Sequence, residues 1–238
     1  MTAERIIKSK QRVQQHGEVF TPLKTVKQML DVPGVKEACE SITTTFLEPA
    51  AGEGVFLVEI LERKLDKVVN QYGDSIKQYE MYALLALSSL YGVELLEDNA
   101  QRCTMKLYRK FVDYYYQQVA QTDSKVRDKV LDSASLIISK NIVQGNFLTR
   151  LNSFGSPIVF SEWKPVKYTS SRITIQRTEY TLDEIYEGTC KESGHSSQYY
   201  QKIEQLSLFE MDEEPTVIEH YIPCSILDVY KEEIEVEL

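Results

Sequence analysis

The sequence predicts an α/β fold built on a doubly wound, mostly parallel sheet. Three observations carry that reading. Short apolar runs rich in β-branched residues recur at Thr43 to Leu47, Leu90 to Glu94, Ile142 to Gln144 and Pro157 to Ser161. Helical apolar periodicity fills the stretches between the first three runs. A tight Gly52-Glu53-Gly54 turn joins the first run to the helix after it. Strands alternating with helices give parallel sheets with crossover connections.

The elements follow in order. Residues 1 to 16 read as a polar helical arm, and Thr21 to Leu30 as a helix. Gly54 to about Val69 is helical by period. Ile76 to Leu90 is a second helical stretch, with Met81, Leu84, Leu85 and Ser88 on its buried face. One helix suffices between two parallel strands, so this second one is an insertion. Ala100 to about Val119 is the next helix. Its aromatic stripe, Tyr108, Phe111, Tyr114, Tyr115 and Tyr116, reads as core packing. Ser124 to Lys140 follows as a helix. Ser171 to Leu182 alternates, as an antiparallel or edge strand does.

The expected domain boundary lies at 185/186. Residues 1–185 form the folded body, and 186–238 a polar linker and acidic tail. Thr216 to Ile222 and Ser225 to Tyr230 are apolar enough to pair as strands, either completing the sheet or binding another protein. The chain has 238 residues and a net charge of -9. Eleven acidic residues and one basic one fall after position 202, so the body is near neutral. Two basic clusters, Arg5, Lys8, Lys10, Arg12 and Lys164, Lys167, Arg172, Arg177, suit either phosphate contact or a solvated face. Cys39, Cys103, Cys190 and Cys224 are scattered without metal-ligand spacing, so no metal site is expected. No apolar run spans a bilayer and the N-terminus lacks a secretory pattern, so the expected location is the cytoplasm, away from membranes.

The chemistry concentrates in four segments. Phe46-Leu47-Glu48-Pro49-Ala50-Ala51-Gly52-Glu53-Gly54-Val55-Phe56-Leu57 is a strand, a glycine turn and a helix start. Gly52 and Gly54 lack side chains, so the backbone can approach a ligand closely. Gly17-Glu18-Val19-Phe20-Thr21-Pro22 precedes it, and Leu90-Tyr91-Gly92-Val93-Glu94 follows with an acidic strand end. A carboxylate there can accept from both hydroxyls of a ribose. Asn141-Ile142-Val143-Gln144-Gly145-Asn146-Phe147-Leu148 comes last.

In this order the four segments resemble S-adenosylmethionine (SAM)-dependent DNA methyltransferases of the adenine-N6 type, such as the modification subunits of restriction systems. The resemblance covers residues 17 to 148. It implies a class I, Rossmann-like methyltransferase sheet with SAM at the carboxyl ends of its strands. Set against the family, the remaining length leads us to expect a sheet cut short after the fourth or fifth strand. Phe20, Thr21 and Pro22 would cover the cofactor. Glu48, Pro49, Ala50, Gly52, Gly54 and Phe56 would shape its methionine side. Glu94 would hold the ribose. Asn146, where the family has Asp, would accept from the adenine amino group beside Phe147.

The chain departs from the family at the catalytic segment. Active members carry Asn/Asp-Pro-Pro-Tyr/Phe there, aligning the target amine and stacking the flipped base. This chain has Ser161-Glu162-Trp163-Lys164-Pro165. Two readings stand open: Ser161 or Glu162 accepts from the amine while Trp163 stacks the base, or the motif has degenerated and Trp163 only packs. The expected activity is methyl transfer to DNA, with a specificity subunit or other protein supplying target recognition. The rival is a non-catalytic accessory subunit. RNA or protein as acceptor is a weaker third reading.

Gln205-Leu206-Ser207-Leu208-Phe209 resembles the pentapeptide that docks bacterial proteins on the DNA sliding clamp. Leu208 and Phe209 would fill an apolar pocket and Gln205 would fix register. The alternative is a helix continuing through Tyr199, Tyr200, Ile203 and Leu206 that packs on the body.

Overall fold

The computed structural model describes residues 7–197 and 218–237. It is a mixed α/β structure around a mostly parallel four-stranded sheet. The first segment is a short helix α1 (Lys10–His16), capped by the Ser9 side chain and stopped by left-handed Gly17. Helix α2 (Leu23–Leu30) follows with Pro22 at its N-cap, then α3 (Val35–Cys39). Strand β1 (Phe46–Glu48) enters the glycine turn, and α4 (Val55–Tyr72) leaves it. Helix α5 (Ile76–Ser88) is the inserted one. It is buried along almost its whole length because α4, two later helices and a strand surround it.

Strand β2 (Leu90–Glu94), helices α6 (Glu97–Gln121) and α7 (Asp128–Asn141), and strand β3 (Ile142–Asn146) complete the parallel unit. The order is β1-β2-β3, both pairs parallel, with the short β4 (Leu151–Asn152) antiparallel at the β3 edge. Strand order thus rises in one direction only. Right-handed crossovers then put all four long helices on one face. Leu57, Ala51 and Ile142 crowd Gly92 on that face; a Cβ there would lie 2.9 Å from Leu57 Cδ1.

The other face is covered differently from the expectation. The sequence places Pro157 to Ser161 as the next strand of the parallel sheet. Strand β5 (Val159–Tyr168) pairs instead antiparallel with β6 (Ile173–Thr181), in a separate sheet with β8 (Cys224–Ser225). The segment between β3 and β5 is spent on the β4 turn and holds no crossover helix, so β5 cannot return parallel to β1. The hairpin lies on the sheet through Tyr91 and Val93, which meet Ile158, Phe160 and Leu182. Hence the sheet is helix-covered on one side and hairpin-covered on the other. It is not doubly wound among the described residues, and its parallel part stops at three strands.

The expected boundary at 185/186 falls inside helix α8 (Leu182–Glu187). The polar stretch after it packs on β6, where Glu179 N–H donates to His195 O at 2.9 Å and Ser197 N–H donates to Glu179 Oε2 at 2.8 Å. Beyond the undescribed stretch the chain returns to the body. β7 (Ile218–Tyr221) pairs with β9 (Ile234–Glu237), and Ile226, Leu227 and Val229 enter the main core. Residues 218–237 are therefore part of the body and not a free acidic tail. No helix of the described residues is long and apolar enough to cross a membrane.

Candidate functional site at the carboxyl ends of the strands

Three strand ends and the segment before α2 enclose a cavity of about 580 Å³. Its lining brings together Phe20, Pro49, Ala50, Gly52, Glu94, Asn146 and Phe147 from the expected cofactor set. Parallel strands put their carboxyl ends and following loops on one side, which is why segments far apart in sequence converge here. Gly17, Glu18, Val19, Leu95, Leu96, Asn99, Gly145 and Leu148 also line it. Of these, Glu18 and Asn99 stand in or beside the recognised segments, but nothing in their spacing marks them as partners.

The glycine turn is tied to the second strand. Glu94 is buried; its Oε2 accepts the Gly52 amide at 2.7 Å, and its Oε1 accepts the Leu96 amide at 3.0 Å. Asn99 Nδ2 adds a longer bond to Oε1 at 3.4 Å. Two carboxylate oxygens offer about four acceptor sites, so one remains for a hydroxyl in the cavity. Gly52 is left-handed with φ of 55°, and the Phe20 ring lies 3.9 Å from the position of a Cβ there.

Thr21, Pro22, Glu48, Gly54 and Phe56 do not line the cavity. Pro22 starts α2, the ordinary role of such a pair. Gly54 is the N-cap of α4 at φ of 81°, and a Cβ there would stand 2.6 Å from Cys103 Sγ. Its function is close packing of α4 on α6. Phe56 packs against the main core. Glu48 accepts weakly from the Ala50 amide at 3.4 Å, and burial raises its pKa above the ordinary carboxylate value despite that bond.

The expected role of Asn146 is corrected. Its Oδ1 accepts from its own turn, from Leu148 N–H at 2.9 Å and Thr149 N–H at 3.4 Å. The oxygen expected to take an adenine amino group thus has both lone pairs engaged. The free end is Nδ2, a donor, which suits a ring nitrogen.

The target pocket expected from Ser161, Glu162 and Trp163 is not assembled. All three lie within β5, where successive side chains face opposite ways. Ser161 is buried and its Oγ accepts from Arg177 Nε at 2.9 Å. Trp163 is buried in the main core, and its indole N–H donates to Asn141 Oδ1 at 2.8 Å. Only Glu162 is exposed. The packing alternative for Trp163 therefore holds, because a ring locked in the core cannot stack on an incoming base.

A basic strap braces two residues of the cavity wall, Glu18 and Asn99, from behind. Arg12 forms a two-pronged pair with half-buried Glu18, Nε to Oε2 at 2.6 Å and Nη2 to Oε1 at 2.8 Å, and also reaches Asp98 at 2.9 Å. Lys8 bonds Asp98 at 2.9 Å and Asn99, and lies 3.2 Å from Glu53. Burial alone would raise the Glu18 pKa, but the bonds from Arg12 and Asn99 leave it below the ordinary value. Bonds from Arg12 and Lys8 hold Asp98 far below its own. The first basic cluster, expected on phosphate or solvent, is thus partly consumed by these ion pairs. In the second cluster, Arg177 is buried between Ser161, Glu179 and Glu232.

No family model, no curated protein and no solved structure matches this chain. The expected clamp-docking residues, Gln205, Leu206, Ser207, Leu208 and Phe209, lie outside the described residues.

Proposed function

We propose that this chain binds S-adenosylmethionine at the carboxyl ends of β1, β2 and β3, as DNA adenine-N6 methyltransferases do. One observation carries the reading: the three segments that resemble that family's cofactor segments, together with Phe20, converge on a single cavity of nucleoside size. The residues present fit the cofactor. Glu94 keeps an acceptor site for ribose, Phe147 and Leu95 supply apolar wall, and Asn146 Nδ2 can donate to a ring nitrogen. The bound cofactor would supply an electrophilic methyl group on sulfur. This chain's residues hold and orient the nucleoside.

Methyl transfer to an adenine amine needs an acceptor side that the described residues do not assemble. We therefore assign target recognition, and completion of the acceptor side, to a partner such as a specificity subunit. Burial of Trp163 favours a second reading, in which the chain is a non-catalytic SAM-binding accessory subunit that reaches the sliding clamp through Gln205 to Phe209.

Calorimetric titration with SAM and S-adenosylhomocysteine tests the binding reading. Micromolar dissociation constants are expected, and absence of heat at millimolar ligand overturns it. Transfer of labelled methyl groups to DNA by the chain with its partner then separates enzyme from accessory subunit.

A further inference from the structure

A second cavity, of about 440 Å³, lies away from the first and shares no lining residue with it. It sits between two strand edges. β1 ends one sheet and β5 ends another, and among the described residues neither has a neighbour on its outer side. Both edges turn backbone groups toward the gap. Phe46 N–H donates to Ser89 O on the β2 side, so Leu47 directs its N–H and C=O the other way. On β5, Ser161 stands opposite Glu179, whose N–H donates to His195 and so points away from β5. That makes the pair a non-bonded one, and Ser161 directs its own N–H and C=O outward. Its C=O accepts from Tyr91 OH at 2.8 Å, across the floor of the gap.

The walls are apolar: Leu47, Tyr91, Phe160 and Ile185. Leu47 is 42% exposed on a bare edge, the arrangement that templates addition of another strand. Glu162 is the one charged residue among the described lining residues, and it has no ion-pair partner among them.

We propose that this groove is a strand-addition site for a partner protein. It takes one extended apolar segment, paired with the open edges of β1 and β5, with a lysine or arginine of that segment against Glu162. Backbone groups give the affinity and alternate side chains the selectivity, as in other cases of β-augmentation. The described strands of this chain are already committed, β4 to β3, β8 to β6, and β7 to β9, so the occupant is not one of them. The site is independent of the cofactor reading.

The test uses the full chain and a labelled, end-blocked octapeptide of alternating valine and threonine with one central lysine. Fluorescence anisotropy is expected to show saturable binding, and hydrogen exchange to show new protection at the Leu47 and Ser161 amides. N-methylation of alternate peptide amides is expected to weaken binding more than tenfold, as is Leu47→Pro, which deletes the outward N–H. Glu162→Lys is expected to weaken the lysine peptide at least fivefold and to favour a matched glutamate peptide. The N-methylated peptide needs no protein variant, so misfolding of Leu47→Pro leaves the test intact. Equal binding of the N-methylated peptide overturns strand addition, as does no binding at millimolar peptide. Indifference to Glu162→Lys overturns the charge selectivity. Leu47 protection that grows with protein concentration, without peptide, makes a second copy the occupant and overturns the partner assignment. Protection in the intact chain that vanishes on deletion of residues 198–217 overturns it in favour of this chain's own segment.

Discussion

Glu94 and Gly52 are joined by a 2.7 Å hydrogen bond from the glycine amide to the carboxylate. The end of the second strand thereby sets the shape of the turn after the first, although the residues are 42 positions apart. The carboxylate that would hold a ribose is also the group that holds the loop around it.

Glu94→Ala therefore removes two functions together. The amides of Gly52 and Leu96 lose a charged acceptor, at about 1–3 kcal/mol of stability. SAM affinity is expected to fall more than tenfold, since a carboxylate–hydroxyl bond contributes about 1.5–3 kcal/mol. Calorimetry and a thermal melt on the same variant measure both. Full-strength SAM binding in a folded Glu94→Ala protein would sink the ribose assignment.

Acid should release the strap before it unfolds the core. Glu18 and Asp98 both have folded pKa values below their unfolded ones. Such groups stabilise the folded state above the unfolded carboxylate values and lose that contribution as pH falls through the folded values. The window thus opens below about pH 4, where unperturbed carboxylates titrate. Trypsin cleavage at Lys8 or Lys10 cannot be read at that pH, so amide hydrogen exchange of residues 7–18 is the measurement. Protection there should fall ahead of protection in α5. Arg12→Ala should give the same loosening at neutral pH. Equal loss of protection in strap and core would mean that the strap is not a separate unit.

Gly54→Ala tests the packing of α4 on α6. The new Cβ would meet Cys103 Sγ at 2.6 Å and the Cys103 main chain at 3.2 Å, at a φ that disfavours any side chain. Overpacking costs about 1–3 kcal/mol, and the left-handed backbone about 1–2 kcal/mol more. Adding Cys103→Ala removes the nearest atom but leaves the crowding against the main chain, so it should restore part of the loss. Denaturant midpoints of the four proteins in the cycle give the coupling, and a coupling of zero would refute the packing assigned to this pair.

The parallel half of the fold is legible in the sequence because its signals are local. The apolar runs, the helical periods and Gly52 to Gly54 place each element of that half, and helix α7 is the furthest off, starting at Asp128 where the pattern starts at Ser124. Convergence of Glu94 on the glycine turn is legible only through the order of the segments. The fate of Ser161 to Pro165 is not. That depends on whether β5 pairs with β1 or with β6, a choice between distant edges that a local apolar run cannot make. The return of Ile226 and Val229 to the core is half legible: the apolar run Ser225 to Tyr230 marks a segment able to pack, but not the place where it docks. The role of Asn146 is not legible either, because a turn residue satisfies its own backbone first.

Lys64 should titrate abnormally. Its side chain is fully buried, and Nζ donates to the carbonyls of Ser41 at 2.6 Å and Thr44 at 2.7 Å, fixing the entry to β1. Burial pushes its pKa down to about 8 from 10.5. Between those values the unfolded chain binds the proton and the folded chain does not, so stability should rise with pH across the window. The full effect is on the order of 3 kcal/mol. Carbon NMR of a Cε-labelled protein reads the midpoint directly, and a midpoint near 10.5 would show that the carbonyls retain the charge.

Trp163→Phe separates packing from catalysis. The indole N–H satisfies Asn141 Oδ1, while Asn141 Nδ2 holds the carbonyls of Ser88 at 3.1 Å and Leu90 at 3.0 Å at the start of β2. Phenylalanine keeps most of the apolar packing but strands a buried acceptor, so stability should fall by about 1–3 kcal/mol. A base-stacking tryptophan would instead show its loss in the kinetics of methyl transfer, with stability nearly intact. Our expectation is a lower melting temperature with SAM affinity unchanged below the transition. If DNA methylation is obtained with a partner, its rate per folded molecule should also be unchanged. A normal melting temperature combined with a large loss of methyl transfer would return Trp163 to the acceptor site.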